Sequence, residues 1–238
     1  MKRKALSVLA GVGAPLILTA HVSASFLGIT AVSKPNEFGL IVCSVYAVFD
    51  QPGDLMMAVA GTADAPLLIQ VEGGGTFYNH AFGGDSAPGT ALIAAFPILA
   101  YDTFITIGAR SSSPDFPDAT VITPGFPDGI TGTQLFTNES GWAVTPIDPQ
   151  SDPFNTDYSS GNGEILIAQF ATANGTGFSG TMLLRFVTNG SAVQNIQSFF
   201  HVVPAPGAVA LLGVFGLHGT RRRRRRGVTQ DVRHELPR

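Results

Sequence analysis

From residue 38 onward, short apolar runs alternate with clusters of Gly, Pro, Asp, Ser and Asn. FGLIVCSVYAVF (38–49), DLMMAVAG (54–61) and PLLIQV (66–71) are separated by QPG and TADA, which have the composition of turns. TFYNHAF (76–82), ALIAAFPIL (91–99), DTFITIGA (102–109), TQLFT (133–137) and GWAVTPI (141–147) continue the series. GEILIAQFAT (163–172), TMLLRFVT (181–188) and AVQNIQSFFHVV (192–203) close it. Many short strands at roughly even spacing predict an all-β fold, an antiparallel β-sandwich or jelly-roll-like arrangement. Period-2 patterning agrees: Val45, Ala47 and Phe49 fall on one strand face and Tyr46 and Val48 on the other, and Met182, Leu184 and Phe186 oppose Leu183 and Arg185. The nearest approach to a helical run is ALIAAFPILA, which Pro97 interrupts. Two long polar segments, 111–129 and 145–163, read as irregular connections between strands, with a binding rim as the sharper alternative.

The two ends follow a different pattern. Lys2, Arg3 and Lys4 precede an apolar run from Ala5 to Ala20, and Val22-Ser23-Ala24 supplies small residues at the last and third-last positions. That order predicts a secretory signal helix over 1–24 with cleavage after Ala24. At the other end an apolar run, Gly207 to Leu217, stands before six arginines. As a helix of eleven residues it rises about 1.5 Å per residue, well short of a roughly 30 Å hydrocarbon core, so it predicts a short apolar helix with a basic stop. The chain thus divides into a signal peptide (1–24), a β domain (25–202), a tail signal (203–226) and a disordered tail (227–238).

The tail resembles the PEP-CTERM sorting signal of exported bacterial proteins. Val203, Pro204, Ala205 and Pro206 match the motif region, Ala208 to Leu217 the helix, and Arg221, Arg222, Arg223, Arg224, Arg225 and Arg226 the basic cluster. Ala205 stands where the family's motif carries glutamate, a planctomycete-like VPAPG variant. The resemblance implies an exosortase-like processing enzyme as partner, transient inner-membrane association through the apolar helix, and final placement at the cell surface or outside the cell. It covers 24 residues and implies nothing about the activity of the β domain, which has the general look of other exported β domains.

Charge narrows the partners. Between Ser25 and His201 the basic side chains are Lys34, Arg110 and Arg185, against fifteen carboxylates, a net charge of −12 apart from histidine. A body this acidic repels nucleic acid, so the terminal arginines do not predict nucleic-acid binding. The single cysteine, Cys43, lies in an apolar run and reads as a buried small hydrophobe.

Candidate chemistry is sparse. Asp148, Asp152 and Asp157 share one loop, and calcium is the one cofactor they invite, but the loop lacks the EF-hand frame and reads as solvated carboxylates. No H-E-x-x-H or G-x-S-x-G pattern occurs, and His80, His201, Ser140 and Ser179 have no motif around them. VEGGGTF reads as a turn. Asn138, Asn174 and Asn189 head N-x-[ST] sequons and mark exposed loops. Trp142 reads as core with a carbohydrate platform as the sharper alternative. With no catalytic constellation in view, the sequence predicts a non-enzymatic, exported cell-envelope or extracellular-matrix protein of structural or adhesive type, associated with extracellular polysaccharide. The alternative is a carbohydrate-binding or carbohydrate-active surface domain.

Overall fold

The computed structural model describes residues 25–189 and 192–203. Eleven strands in these segments form two antiparallel sheets. The first has the order β1 (Phe26–Pro35), β2 (Ile41–Phe49), β9 (Glu164–Thr172), β5 (Phe104–Ile105). The second is organised on the twelve-residue strand β10 (Gly177–Thr188). One edge of β10 pairs along its length with β11 (Ala192–Val202). The other edge is shared end to end: Gly177–Thr181 pair with β4 (Leu67–Glu72), and Leu183–Val187 with β3 (Leu55–Ala60). Beyond β3 lie β8 (Gly141–Ala143) and β6 (Val121–Ile122), and beyond β4 lies β7 (Gln134–Thr137).

The inner faces of the two sheets share one apolar core, and the predicted alternation accounts for it. Val45, Ala47 and Phe49 are buried from the first sheet, and Met182, Leu184 and Phe186 from the second, while Arg185 is exposed. Phe49 and Phe186 meet edge to face at 5.4 Å across the layers, with Phe26 4.9 Å from Phe186. At the other end Phe170 of β9 lies 6.1 Å from Phe178 of β10 and 5.7 Å from Phe77. Between these clusters Trp142 is fully buried; its Nε1–H donates to the carbonyls of Thr106 (3.0 Å) and Ile167 (3.1 Å). A side chain of the second sheet thus satisfies its only donor on the backbone of the first layer. Trp142 is core, as its apolar setting predicted.

The predicted fold needs correction. A mostly antiparallel β fold is what forms, but the jelly-roll-like sandwich with an N-terminal signal helix and a short C-terminal apolar helix is not what the described residues build. Neither sheet curls or closes, and the second forks because β10 carries two strands on one edge. No long helix occurs among the described residues; the two segments expected to be helical, within 1–24 and at 207–217, lie outside them. The segment expected as a strand at 91–99 is instead α1 (Thr90–Ala95) followed by a 3-10 turn, Pro97–Tyr101. Pro97 ends the α-helix and is tolerated at the first position of the next turn, where its missing N–H removes no bond. TFYNHAF contributes only one bridge, Phe77 to Thr172. Strand β1 is not among the strands the sequence predicts, and Val121–Ile122 falls in a segment expected as loop.

Candidate functional site

The outward face of the first sheet carries a groove of about 730 Å³. Its floor follows from register. Thr30 pairs with Tyr46, Val32 with Ser44 and Lys34 with Val42, so alternate residues of β1 and β2 stand in rows on that face. The next strand adds Gln169, opposite Ser44, and Glu164. The wall is the α1 and 3-10 segment. Gln169 Nε2 donates to the carbonyls of Ala100 (3.1 Å) and Asp102 (2.9 Å), and the Ala171 N–H donates to Thr103 Oγ1 at 3.0 Å. These bonds fix Tyr101 on the rim, where its hydroxyl donates to Glu37 Oε1 at 3.1 Å and its ring lies 5.8 Å from Phe38.

Arg110 closes the far end. Its guanidinium stands over the Tyr46 ring at 5.5 Å and donates to the Tyr46 hydroxyl at 3.0 Å. A second depression of about 350 Å³ shares Arg110 and Ser111 and continues past Phe116 and Tyr158, whose rings meet edge to face at 6.1 Å. The two long loops predicted as irregular connections meet here, stitched together by the fully buried Gln150. Its Nε2 donates to Asp118 Oδ1 (2.8 Å) and Thr120 Oγ1 (2.9 Å), and its Oε1 accepts from the Ala119 N–H (2.8 Å). A continuous surface track therefore carries Tyr101, Tyr46, Arg110, Phe116 and Tyr158. Of the three basic residues between Ser25 and His201, two, Lys34 and Arg110, line this track.

The sequence did not single out these residues as a site. In the sequence Arg110 and Lys34 stand out only in the charge balance, and Glu37, Tyr46, Tyr101 and Glu164 come together from elements up to about 130 positions apart in the chain. The scarcity of cations was the available signal, since a charge kept in an otherwise acidic body invites a search for its function.

The residues that the sequence did single out are dispersed. Asp148 Oδ1 accepts from the Gln150 N–H at 2.9 Å and Asp152 Oδ1 from the Phe154 N–H at 2.8 Å, so both cap local turns. Asp157 lines the second depression. Among the described residues no three His, Cys, Asp or Glu side chains are grouped to hold a metal ion. Cys43 is buried, and burial pushes its thiol up to about 12. Gly73 and Gly74 have φ of +74° and +75°, as a glycine turn after β4 requires. Asn138, Asn174 and Asn189 are exposed, while His201 lies exposed on β11. Of the tail signal only Val203 is described, and it is exposed; Ala24, Pro204, Ala205, Pro206 and Arg221 to Arg226 lie outside the described residues.

Asp102 is a second feature the sequence did not mark. Its Oδ1 accepts from the N–H groups of His80 (2.9 Å) and Thr103 (3.0 Å), whereas its buried Oδ2 has no partner. Burial pushes this carboxyl up to about 6, against the opposing pull of the two N–H donors. Gly83 makes room for it, because a Cβ there would lie 1.8 Å from Oδ2.

None of the protein families, curated proteins or solved structures compared with this chain matches it. These comparisons give the chain no relation to PEP-CTERM proteins or exosortase substrates. Among the described residues, no helix is long and apolar enough to cross a membrane.

Proposed function

We propose that this protein is an exported structural or adhesive component of the cell envelope or extracellular matrix, and that it associates with polysaccharide along the track on its first sheet. The observation that carries the reading is the pairing of two scarce cations with aromatic side chains in one groove. Tyr46 and Tyr101 offer ring faces to the apolar faces of sugars and hydroxyls to their polar edges. Arg110 presents a planar donor fork to a carboxylate and Lys34 a point charge. The excess of carboxylates over the rest of the β domain disfavours a uronate-bearing strand there and so favours contact at the groove. Many such weak contacts, repeated along a polymer, give retention by multivalency without bond making.

The test is affinity electrophoresis and calorimetry of the chain against a polyuronate and a neutral glucan. Lys34→Ala and Arg110→Ala are each expected to weaken polyuronate binding about fivefold, the effect of roughly 1 kcal/mol from an exposed charged contact. Melting temperature should not change. Equal binding by wild type and both variants, or no retardation by either polymer, refutes the reading.

A carbohydrate-active enzyme is the second reading, favoured by Glu37 and Glu164 lining the same groove. Hydrolysis requires two carboxyl groups facing one another across the scissile bond. Release of reducing ends that is lost in Glu164→Gln would select it over the adhesive reading.

A further inference from the structure

Asp54 stands where three parts of the fold converge: the start of β1, the turn from β2 to β3, and the end of β10. It is fully buried. Its Oδ1 accepts from the Asn189 N–H at 2.9 Å, and its own N–H donates to the Gln51 carbonyl at 3.3 Å. Its Oδ2 is buried and completes no hydrogen bond. Ser25, only 4% exposed, is the neighbour on the third side. The Ser25 carbonyl accepts from the Asp50 N–H at 2.9 Å, which fixes this residue against the β2–β3 turn. The Ser25 hydroxyl acts on the Asp54 carboxyl, drawing it down against the larger upward push of burial, yet Ser25 Oγ is likewise left without a completed hydrogen bond. Asp50 is the other charge felt there, and it has the same sign. A buried carboxylate held by one backbone N–H and acted on by one hydroxyl, with no cation beside it among the described residues, is costly as it stands.

Ser25 is also the residue that follows the V-x-A cleavage motif. Hydrolysis of the Ala24–Ser25 peptide bond adds one water across it, leaving a carboxylate on Ala24 and an amine on Ser25 that takes up a proton. The new ammonium sits three bonds from Ser25 Oγ, the hydroxyl that acts on the Asp54 carboxyl. We propose that removal of the leader creates the missing partner: the Ser25 α-ammonium forms a buried ion pair with Asp54 that latches the first strand of one sheet to β3 and β10 of the other. The leader-bearing chain has only an uncharged amide at that place. The fold is then completed by processing, which keeps the unprocessed chain looser during export. The inference rests on the export reading above in one respect, the position of cleavage.

The test uses the chain from Ser25 to Arg238, released from an N-terminal fusion so that no extra residue remains. Lys34 is the only lysine after residue 24, so in a Lys34→Arg background the α-amine is the sole primary amine and can be acetylated selectively. Acetylation is expected to lower the melting temperature by about 6 °C or more, the scale for breaking a buried pair in a domain of this size. In an Asp54→Asn background acetylation should cost nothing comparable. The ¹⁵N-detected amine should titrate above the ordinary α-amino value of about 8 and return to it in Asp54→Asn. If Asp54→Asn does not fold, the amine titration of the unmutated chain decides alone. An acetylation penalty that is absent, or equal in both backgrounds, or an amine that titrates at its ordinary value, overturns the latch. Intact mass of the exported protein separates this from the export reading: a mature chain beginning at Ser25 supports the proposal. Any other start overturns it for the natural protein even where the engineered chain forms the pair.

Discussion

Replacing Trp142 with phenylalanine tests the claim that one indole ties the two layers together. The substitution keeps an aromatic ring in the core but removes Nε1–H, which reaches the Thr106 carbonyl at 3.0 Å and the Ile167 carbonyl at 3.1 Å. The Ile167 carbonyl keeps the Thr106 N–H as a donor at 3.2 Å, so the penalty of a stranded acceptor falls mainly on Thr106. That penalty is about 1–3 kcal/mol. The smaller ring also leaves a void at a site with no exposure, and its edge contact with Phe126, at 6.0 Å and 88°, is weakened. A combined loss of about 3 kcal/mol is expected, which lowers the melting temperature by roughly 6–12 °C for a domain of this length. Urea unfolding followed by far-UV circular dichroism measures it, provided the transition is two-state. The wild-type indole, being the only tryptophan, reports on burial through a blue-shifted emission that resists acrylamide quenching. A loss below about 1 kcal/mol for Trp142→Phe would refute the reasoning, since neither the hydrogen bond nor the packing would then matter as argued.

Three further outcomes follow from the same geometry. Asp102 has a carboxyl raised to about 6 by burial, so its contribution to stability is fully present below the unfolded value near 4 and is lost as pH rises through about 6. Asp102→Asn should flatten the dependence of the urea midpoint between pH 4 and pH 7, and an unchanged slope would contradict the assignment. Gly83→Ala would drive a methyl group to within 1.8 Å of Asp102 Oδ2, and we expect a loss of about 2 kcal/mol or more in chemical denaturation. Cys43, with its thiol pushed up to about 12 by burial, should react with a thiol reagent only after unfolding, and rapid labelling of the native chain would show that the strand opens locally.

Strand periodicity was legible wherever one face of a run meets the core. The alternation in SVYAVF and TMLLRF predicted which side chains are buried, because a period of two leaves no other choice once a strand is given. The helix at Thr90–Ala95 is not legible because six residues are too few for a 3.6-residue period to stand out from an apolar strand, and β1 because its FLGITAVSKP follows closely on a leader-like apolar run. The groove was not legible at all. Its wall is that helix, its floor comes from strands far apart in sequence, and Gln169, which pins one to the other, looks in the sequence like any polar residue in a strand.

The sequence alone determined which face of strands such as β2 and β10 is apolar, the acidic character of the body with its three cations, the burial of Cys43 and the presence of a leader-like start and a basic tail, since each is a property of composition or local spacing. Only the tertiary structure decided that β10 would fork the second sheet, that Lys34 and Arg110 would share one groove with Tyr46 and Tyr101, and that Ser25 would lie against a buried Asp54. These depend on long-range register and on which buried polar atoms find partners. The energies that fix them are released only when distant segments pack together.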